Sequence, residues 1–478
     1  MTEEEYQSFV CSVCVNICLA FITYAYDLKN HFENKDKIFP FSRIEKKLDD
    51  FYKKIQEEAI KATELILNSI YQEDLIVKTK REYWEKGINL TVKDSKKITL
   101  QTSKGKLTFS RKILRPSSKD DAVKLTDSEN VKGIVPLDIF FGIDNLPFKI
   151  SSSFMLEIAR IAVNSNSYKD AQADVFKIFG QIVNHDTIRR VTNFIGKLVY
   201  NFDCEKADEA MALYESGGIE LKNEIDGTLY IEIDGSFINT RTKNKDGSTW
   251  AENKLCMIFN SDNLVEYKDK DGEISYKVNK AEYICLLGPV EEFKKHVLAL
   301  ALRNKYNLYK NVVFLTDGAA WIRNLIKELF PNAQQILDIY HLYENMSDFL
   351  NAVLSDEDEI KKYRERWYEL IEEGNWKKVI KELEKFKDIK LPKGVVNLYK
   401  YILDNKDCID YPYYRAVYKF IGSGAIESAN KYVVKMRFVL SGMIWGREAV
   451  KFVLALRCKE YSGMWDTVVE IFTSLFPI

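Results

Sequence analysis

Three acidic residues lie in sequence settings typical of metal-dependent phosphoryl transfer. Asp234 ends the β-type run IEID, Asp317 follows the apolar run VVFLT, and Glu427 lies in the segment GSGAIESAN. Carboxylate oxygens are the ligands that Mg²⁺ and Mn²⁺ prefer in proteins. Two such ions about 3.5–4 Å apart can activate a nucleophile and stabilise the leaving oxygen of a phosphodiester. The three residues therefore predict a carboxylate site for two Mg²⁺ or Mn²⁺ ions.

Each carboxylate alone has an ordinary structural explanation. An Asp-Gly pair after a strand is most often a turn, and a glutamate in the first turns of a helix is favourable without any chemistry. The joint occurrence of the three is far more specific. Glycine follows each aspartate, and we expect it to let a metal ion or a phosphate approach the backbone. Glu232 shares the strand face of Asp234 but lies deeper in the sheet, so we do not assign it to the site.

The predicted elements around the carboxylates alternate between strands and helices. Their order is three strands, a helix, a strand, a helix and a strand, which is the order of the ribonuclease-H-like fold. The strands are predicted at 228–234, 255–259, 282–287, 311–316 and 335–340, and the helices at 290–306 and 319–330. In this fold the first and fourth strands are neighbours. We therefore expect Asp234 and Asp317 at one edge of the sheet, with Glu427 brought across by a helix at 425–440.

The rest of the chain reads as a multidomain α+β protein. Residues 1–80 read as helical, and two alternating β-type runs, 97–102 and 107–113, predict a hairpin. The predicted regions are 1–80, helical; 81–150, hairpin and linker; 151–226, helical; 227–341 with 420–478, the ribonuclease-H-like domain; and 342–419, an all-helical insertion. Lys104 and Lys106 on the hairpin suit a β-ribbon lying along phosphates, and a solvated hairpin fits equally well.

A second candidate DNA-binding element lies in the helical region. Helices are predicted at 154–163, 168–179 and 187–199, and the last two are joined by a short segment that starts with Gly180. Arg189 and Arg190 open the third helix. This pattern resembles a helix-turn-helix, although helix pairs with short turns are also common in bundles without a DNA role.

Charge is balanced overall but segregated along the chain. The sequence of 478 residues has 70 Lys and Arg against 71 Asp and Glu, whereas residues 76–120 carry a net charge of +9 and residues 415–460 a net charge of +6. The overall balance argues against a nucleic-acid coat protein. Lys431, Lys435 and Arg437 follow Glu427, and we expect them to hold DNA or to form a solvated basic surface.

The N-terminal segment is apolar and rich in cysteine. Cys11, Cys14 and Cys18, with His31, have the residue types of a zinc site, but no second CxxC pair completes it. The apolar run Phe9–Tyr26 is at the lower length limit for a bilayer span, and acidic residues precede it where a signal peptide needs positive charge. We expect a buried or dimerising helix, reduced cysteines and a cytoplasmic protein without membrane insertion.

Four blocks of the sequence resemble one family of mobile-element enzymes. They are Asp234-Gly-Ser, Thr316-Asp-Gly-Ala, Asp338-Ile-Tyr-His341 and Gly424–Asn430, with intervals of 83 and 110 residues between the three carboxylates. The chain resembles the ISLre-type bacterial insertion-sequence transposases, which are similar to Mutator-like transposases and are often labelled only as an uncharacterised protein family. The resemblance extends over nearly the whole chain.

The resemblance implies a complete reaction. Asp234, Asp317 and Glu427 would be the catalytic triad, with Mg²⁺ as cofactor and with terminal inverted repeats and target DNA as double-stranded partners. Pairing two DNA ends implies a homodimer or a larger assembly. Asp338 and His341 would support the site or contact the scissile DNA; a structural His341 that caps the first helix of the insertion fits equally well. A nuclease and a non-catalytic DNA-binding protein derived from a transposase are the alternatives.

Overall fold

The structure is a computed structural model that describes residues 3–33, 41–69, 72–126, 133–244, 247–268, 272 and 274–476. The chain divides into two units, as expected of a multidomain α+β protein. Unit 1 comprises Met1–Ile161, Tyr168–Val191 and Phe472–Ile478, and unit 2 comprises Ala162–Ser167 and Thr192–Ile471. The five regions named above remain a finer prediction of domain organisation.

Three helices and a hairpin begin the chain. They are α1 Glu3–Glu33, α2 Phe41–Ser69, α3 Gln72–Glu85, β1 Leu90–Thr102 and β2 Gly105–Pro116. The hairpin predicted around Ser103 and Lys104 is confirmed, with strands longer than expected. Thr102 pairs with Gly105, so the loop contains two residues. Lys104 and Lys106 are exposed at the tip, where an alternating strand pattern directs polar side chains to solvent.

Side chains of α2 and α3 cover the outer edge of β2. Glu64 and Asn68 are four residues apart on one face of α2, and Gln72 is the first residue of α3. They accept hydrogen bonds from backbone N–H groups of alternate residues of β2: Thr108 to Glu64 at 2.6 Å, Ser110 to Asn68 at 2.8 Å and Lys112 to Gln72 at 2.9 Å. An uncovered strand edge is a template for pairing with another chain, and these bonds occupy it.

Helix α1 is exposed, which corrects the expectation of a buried helix. It packs on α2 through the ring of Tyr24, whose centroid lies 5.0 Å from that of Phe51. Cys11, Cys14 and Cys18 are free and exposed, so they are not a buried apolar cluster; the side chain of His31 lies outside the described residues. Among the described helices, Glu4–Asn30 alone has the length and composition of a membrane span, with a mean hydropathy of 1.9. The same composition suits a helix that packs against another protein chain.

The helices predicted in the 151–226 region are present. They are α6 Ser152–Asn164, α7 Tyr168–Phe179 and α8 His185–Glu215. Two short helices precede them, α4 Lys119–Thr126 and α5 Pro136–Phe140. Helix α8 begins two residues earlier than expected and is much longer. Arg189 and Arg190 are exposed in its first turns, and Arg189 pairs with Asp186 at 3.2 Å. The helix-turn-helix interpretation remains a prediction.

A five-stranded sheet forms the centre of unit 2. Its strands are β3 Ile225–Asn239, β4 Trp250–Asn260, β7 Glu282–Leu286, β8 Tyr309–Thr316 and β9 Gln334–Leu337. The order across the sheet is β7-β4-β3-β8-β9, and β3, β8 and β9 are parallel while β4 is antiparallel to its neighbours. Two further strands, β5 Leu264–Lys268 and β6 Ile274–Val278, lie between β4 and β7 along the chain and pair with each other in a separate antiparallel sheet. The sequence patterns did not predict them.

Two helices bury one face of this sheet. They are α9 Val290–Arg303 and α10 Ala320–Leu329, and they enclose a core that includes Ile231, Ile233, Phe293 and Phe314. Because successive strand residues point to opposite faces, this burial leaves Glu232 and Asp234 on the other face of β3. The alternation therefore determines which face of the sheet carries the acidic residues.

Further helices follow β9 along the chain, and all of them except the end of the last belong to unit 2. They are α11 Ile339–Val353, α12 Glu357–Glu372, α13 Trp376–Leu383, α14 Leu398–Asp404, α15 Tyr411–Val417, α16 Gly424–Ala429, α17 Met436–Phe438, α18 Arg447–Tyr461 and α19 Trp465–Thr473. The insertion at 342–419 is helical, as predicted. Strand β9 ends at Leu337, which corrects the predicted end at Tyr340. The helix predicted at 425–440 is present over residues 424–438, where α16, a π-helical segment Asn430–Lys435 and α17 follow one another without a break.

Candidate active site

Asp234 and Asp317 occupy equivalent levels of two adjacent parallel strands. In the β3–β8 ladder, Ile231 pairs with Phe314 and Glu232 with Leu315, an offset of 83 residues. The two aspartates have the same offset, because 317 − 234 = 83. Residues at equivalent levels of neighbouring strands point to the same face. The ladder ends at Glu232 and Leu315, and its offset, continued for two residues, aligns Asp234 within β3 with Asp317, the residue after β8.

A sharp turn holds Asp317 against the helical insertion. Gly318 has a φ of +80°, in the left-handed region that glycine adopts readily. A Cβ atom at this position would lie 2.8 Å from Leu337 Cδ1 and 3.0 Å from the Tyr401 hydroxyl oxygen. That hydroxyl donates to the Asp317 carbonyl oxygen at 2.7 Å. Gly318 thus makes room for protein atoms, and Tyr401, which sequence reasoning missed, positions the aspartate.

Burial dominates the electrostatics of Asp317. Removal from water raises the pKa of its carboxyl above the ordinary value, and the hydrogen bond from the Ala319 backbone N–H and the nearby His341 lower it in part. The negative charge of Asp234 raises the same pKa further. The two aspartates therefore interact through space, as the strand register requires, and a cation between them would relieve the repulsion.

Glu427 lies on α16 and faces solvent. Its side chain is 59% exposed, and its Oε1 lies 4.0 Å from His341 Nε2. His341 is in the first turn of α11 and also approaches Glu344, with 3.3 Å between Nδ1 and Oε2. His341 thus lowers the pKa of Asp317 through its charge and lies near the Glu427 carboxylate. This position links the predicted third carboxylate to the strand-end aspartates.

Asn430 connects the Glu427 segment to β3. Its side-chain amide donates to Asp234 Oδ2 at 2.7 Å, and its carbonyl oxygen accepts from the Ser236 hydroxyl at 2.8 Å. The side-chain amide of Asn253 on β4 donates to Ser236 Oγ at 2.9 Å. Asn430 is buried, and its amide group orients one oxygen of the Asp234 carboxylate. The sequence motif contained Asn430, but no local pattern revealed its partner 196 residues away.

Glu232 is fully buried beneath the site. Its Oε2 accepts the backbone N–H of Ile426 at 2.9 Å, in the first turn of α16. Burial raises the pKa of the Glu232 carboxyl well above its ordinary value; the Ile426 hydrogen bond opposes that shift, and the carboxylates of Asp338, Glu427 and Asp234 add to it. Sequence reasoning set Glu232 aside, whereas the structure shows direct contact with the helix that carries Glu427.

Asp338 joins the start of α11 to the segment before α16. Its Oδ1 accepts the His341 backbone N–H at 3.0 Å, so Asp338, and not His341, caps the first helix of the insertion. Its Oδ2 accepts the Ser423 backbone N–H at 2.6 Å. Asp338 is completely buried, and both of its oxygens are occupied by protein donors. This arrangement corresponds to a supporting position beside the carboxylates.

A comparison with models of protein families identifies one family for most of the chain. A model of an uncharacterised protein family, UPF0236, matches residues 35–472, which is most of the chain. The chain belongs to this family. The match includes the segments of all three carboxylates and the helical insertion between Asp317 and Glu427. No curated protein matches the chain.

The carboxylates of this UPF0236 chain have the donor chemistry of a hard-cation site. Asp234 and Asp317 present oxygens on one face of the sheet, and Glu427 lies on the helix attached to Asp234 through Asn430. Within the described ranges, no three His, Cys, Asp or Glu side chains already form a metal-binding group. Asp234, Asp317 and Glu427 would be the residues to hold Mg²⁺ or Mn²⁺, and Glu427, the most exposed of them, is the one whose side chain is free to adjust.

The basic residues after Glu427 divide into two sets in this UPF0236 chain. Lys431 and Lys435 are exposed in the π-helical segment, where they remain candidates for contact with DNA. Arg437 is only 1% exposed. It donates to the Asn166 carbonyl oxygen at 2.8 Å and lies over the Trp445 ring at 4.9 Å. The structure thus places the Arg437 guanidinium in internal packing, unlike the two exposed lysines, and a contact of Arg437 with DNA remains a prediction.

Proposed function

We propose that the chain is a DNA transposase of the DDE type with a ribonuclease-H-like catalytic core. Asp234, Asp317 and Glu427 are the catalytic carboxylates, and the reaction is metal-dependent DNA cleavage followed by strand transfer. The substrates are the terminal inverted repeats of an insertion sequence and a double-stranded target. The sheet order β7-β4-β3-β8-β9, with parallel β3, β8 and β9, supports this core because it is the arrangement expected from the predicted order of elements.

One observation carries the proposal: the β3–β8 register, which ends at the pair Glu232 and Leu315 and, continued for two residues, aligns Asp234 with Asp317. Two carboxylates at equivalent levels of adjacent strands repel each other unless a proton or a cation compensates them. A structural ion pair would need a Lys or Arg partner, whereas the charged groups that shift the pKa of Asp317 are His341, which lowers it, and Asp234, which raises it. A pair of negative charges maintained at a sheet edge is the feature of a metal-dependent phosphodiester site.

Different residues of the chain have different roles in the proposed reaction. Asp234, Asp317 and Glu427 would hold Mg²⁺, which would supply Lewis-acid chemistry for the nucleophile, water or a DNA 3′ hydroxyl, and for the leaving oxygen. Asn430 holds the Asp234 carboxylate in one orientation, and the Ala319 N–H and Tyr401 hold Asp317. His341 is placed to contact a phosphate oxygen beside Glu427. Lys431 and Lys435 attract the DNA backbone.

A plasmid assay tests the proposal. Supercoiled plasmid carrying the terminal repeats of the element is incubated with the full chain and Mg²⁺, and the products are separated on a gel. Strand joining is the expected result. We expect Asp317→Asn to abolish both cleavage and joining while DNA binding, measured by gel shift, is retained, because the neutral amide is a poor ligand for Mg²⁺. Joining by Asp317→Asn would contradict the assignment of this residue.

The same assay separates the two alternative activities. Cleavage without joining would indicate a nuclease that uses the same carboxylates. Binding without cleavage would indicate a DNA-binding protein that has lost chemistry. Lys104→Ala with Lys106→Ala, and separately Arg189→Ala with Arg190→Ala, then show which exposed basic element binds the repeats. Removing a side chain that binds phosphate is expected to lower the salt dependence of DNA binding.

A further inference from the structure

Two fully buried carboxylates contact the segment that leads to Glu427. Asp338 Oδ2 accepts the Ser423 N–H at 2.6 Å, and Glu232 Oε2 accepts the Ile426 N–H at 2.9 Å. The Ser423 N–H precedes the helix and is satisfied by Asp338, whereas the Ile426 N–H is shared between Glu232 Oε2 and the Ser423 carbonyl oxygen, which lies 3.1 Å away. Neither acceptor is on the helix itself. Glu232 belongs to the central strand β3, and Asp338 follows the edge strand β9.

The two acceptors differ in how many of their oxygens they use. Both oxygens of Asp338 accept a backbone N–H, from His341 and from Ser423. Glu232 uses Oε2 alone, and its Oε1 is buried without a hydrogen-bond partner in the described residues. An amide side chain has one carbonyl oxygen in place of two carboxylate oxygens. Glutamine can therefore replace the bond that Glu232 makes, whereas asparagine can replace only one of the two bonds of Asp338.

We propose that Glu232 is a positioning residue, which fixes the first turn of α16 on the catalytic strand and thereby places Glu427 opposite Asp234. The inference rests on the proposed function for its catalytic consequence. Glu232 is two residues before Asp234 on the same face of β3, so a single strand carries one carboxylate for the metal and one for the helix. Because Ile426 is the residue immediately before Glu427, a shift of this turn moves Glu427 directly.

The geometry separates this role from that of a fourth metal ligand. The Glu232 side chain is completely buried, and the oxygen that has a partner is bonded to a backbone N–H. Glu232→Gln keeps this acceptor and removes the capacity for negative charge. Glu232→Met keeps the approximate length of the side chain and removes the acceptor. Metal binding by Glu232 would be impaired in both variants, whereas a positioning hydrogen bond would be absent from the methionine variant alone.

The experiment compares four full-length variants, Glu232→Gln, Glu232→Met, Asp338→Asn and Asp234→Asn, in the plasmid cleavage assay with Mg²⁺. We expect Glu232→Gln to keep the cleavage rate within about threefold of the wild type. We expect Glu232→Met and Asp338→Asn to lose about tenfold to a hundredfold, since small displacements of a catalytic group have effects of this size. Asp234→Asn is expected to be inactive. DNA binding is expected to be retained in all four variants.

Equal inactivity of Glu232→Gln and Asp234→Asn, with DNA binding intact, would overturn the proposal and assign Glu232 to the metal. Full activity of Glu232→Met would also overturn it. Hydrogen exchange of residues 423–427 provides a readout that does not depend on activity. We expect faster exchange in Glu232→Met and wild-type exchange in Glu232→Gln. Unchanged exchange in the methionine variant overturns the positioning role, whereas an inactive wild type with the expected exchange pattern overturns the proposed function alone.

Discussion

Burial of the ionised Asp317 carboxylate lowers the free energy of unfolding of the metal-free protein. Its folded-state pKa is raised, chiefly by removal from water and additionally by Asp234. In the unfolded chain the carboxyl ionises near the ordinary value of about 3.9. As the pH rises from that value through the raised folded-state pKa, the unfolded state loses its proton first, so the free energy of unfolding decreases. Catalytic carboxylates commonly reduce stability in this way, because function requires charges to be held together.

A substitution of Asp317 tests this loss of stability directly. We expect Asp317→Asn to unfold at higher urea concentration than the wild type at neutral pH in EDTA, because the amide carries no charge to be buried. The difference should shrink as the pH falls below the raised pKa, where the wild-type carboxyl is protonated. Urea denaturation at several pH values measures it, with the exposed Asp348→Asn as the control. A stability difference that does not change with pH would contradict the explanation.

At the scale of elements, local patterns predicted the parts, and packing determined how they join. The alternation in β3, the apolar run of β8 and the hairpin turn at Ser103 are local features, and all three elements form as expected. The segment QILDIY is rich in β-forming residues, so it read as one strand. In the structure, Asp338 ends that strand and caps α11, because its oxygens find donors in His341 and Ser423. The Ser423 donor lies 85 residues away, beyond any local pattern.

The helical insertion is also part of the site. Tyr401 on α14 donates to the backbone of Asp317, and Asn405 accepts from Arg323 of α10 at 2.9 Å. Sequence reasoning described the insertion as an interruption of the sheet domain, since its helices carry no recognisable motif. The contacts show that α14 holds the turn after β8. The insertion therefore fixes the position of a predicted catalytic residue.

Gly318 is the place where this packing can be tested. We expect Gly318→Ala to lower the free energy of unfolding by about 1–2 kcal/mol through the left-handed backbone, and by a further ~1–3 kcal/mol through overpacking against Leu337 and Tyr401. Gly463→Ala is a matched control, because Gly463 has a φ of +68° and no atom within 4 Å of its added Cβ. Urea denaturation measures both variants. Equal losses of stability would show that the insertion does not press on this turn.

For the whole molecule, the exposed face of α1 offers a surface for assembly. Val15, Leu19, Ile22 and Tyr26 are each more than half exposed and follow one another at intervals of four, three and four residues. Apolar residues at this spacing form the contact stripe of coiled coils. The proposed transposase must bring two DNA ends together, so we propose a second copy of α1 as the partner of this stripe.

Charged residues on this stripe should prevent the assembly. We expect the wild type to sediment as a dimer or a larger species and the double variant Leu19→Lys, Ile22→Lys to shift to the monomer, because burying two ammonium groups in an apolar contact is costly. Sedimentation velocity over a range of concentrations measures the change. Ile274→Lys, at an exposed position on β6, is the control. A wild-type monomer would contradict the dimer, and vesicle binding that disappears in the double variant would indicate a membrane surface instead.

The bonds that assemble the site also determine when during synthesis it can exist. Asn430 meets Asp234 across 196 residues, and Ile426 meets Glu232 across 194. A ribosome therefore makes both strand aspartates long before the segment that completes their surroundings. Under the proposed function, the nascent chain would have no DNA-cleaving activity until residue 430 has emerged, and a product terminated before Glu427 would lack one of the three carboxylates. For the proposed enzyme, translation would thus delay DNA cleavage until this segment has been made.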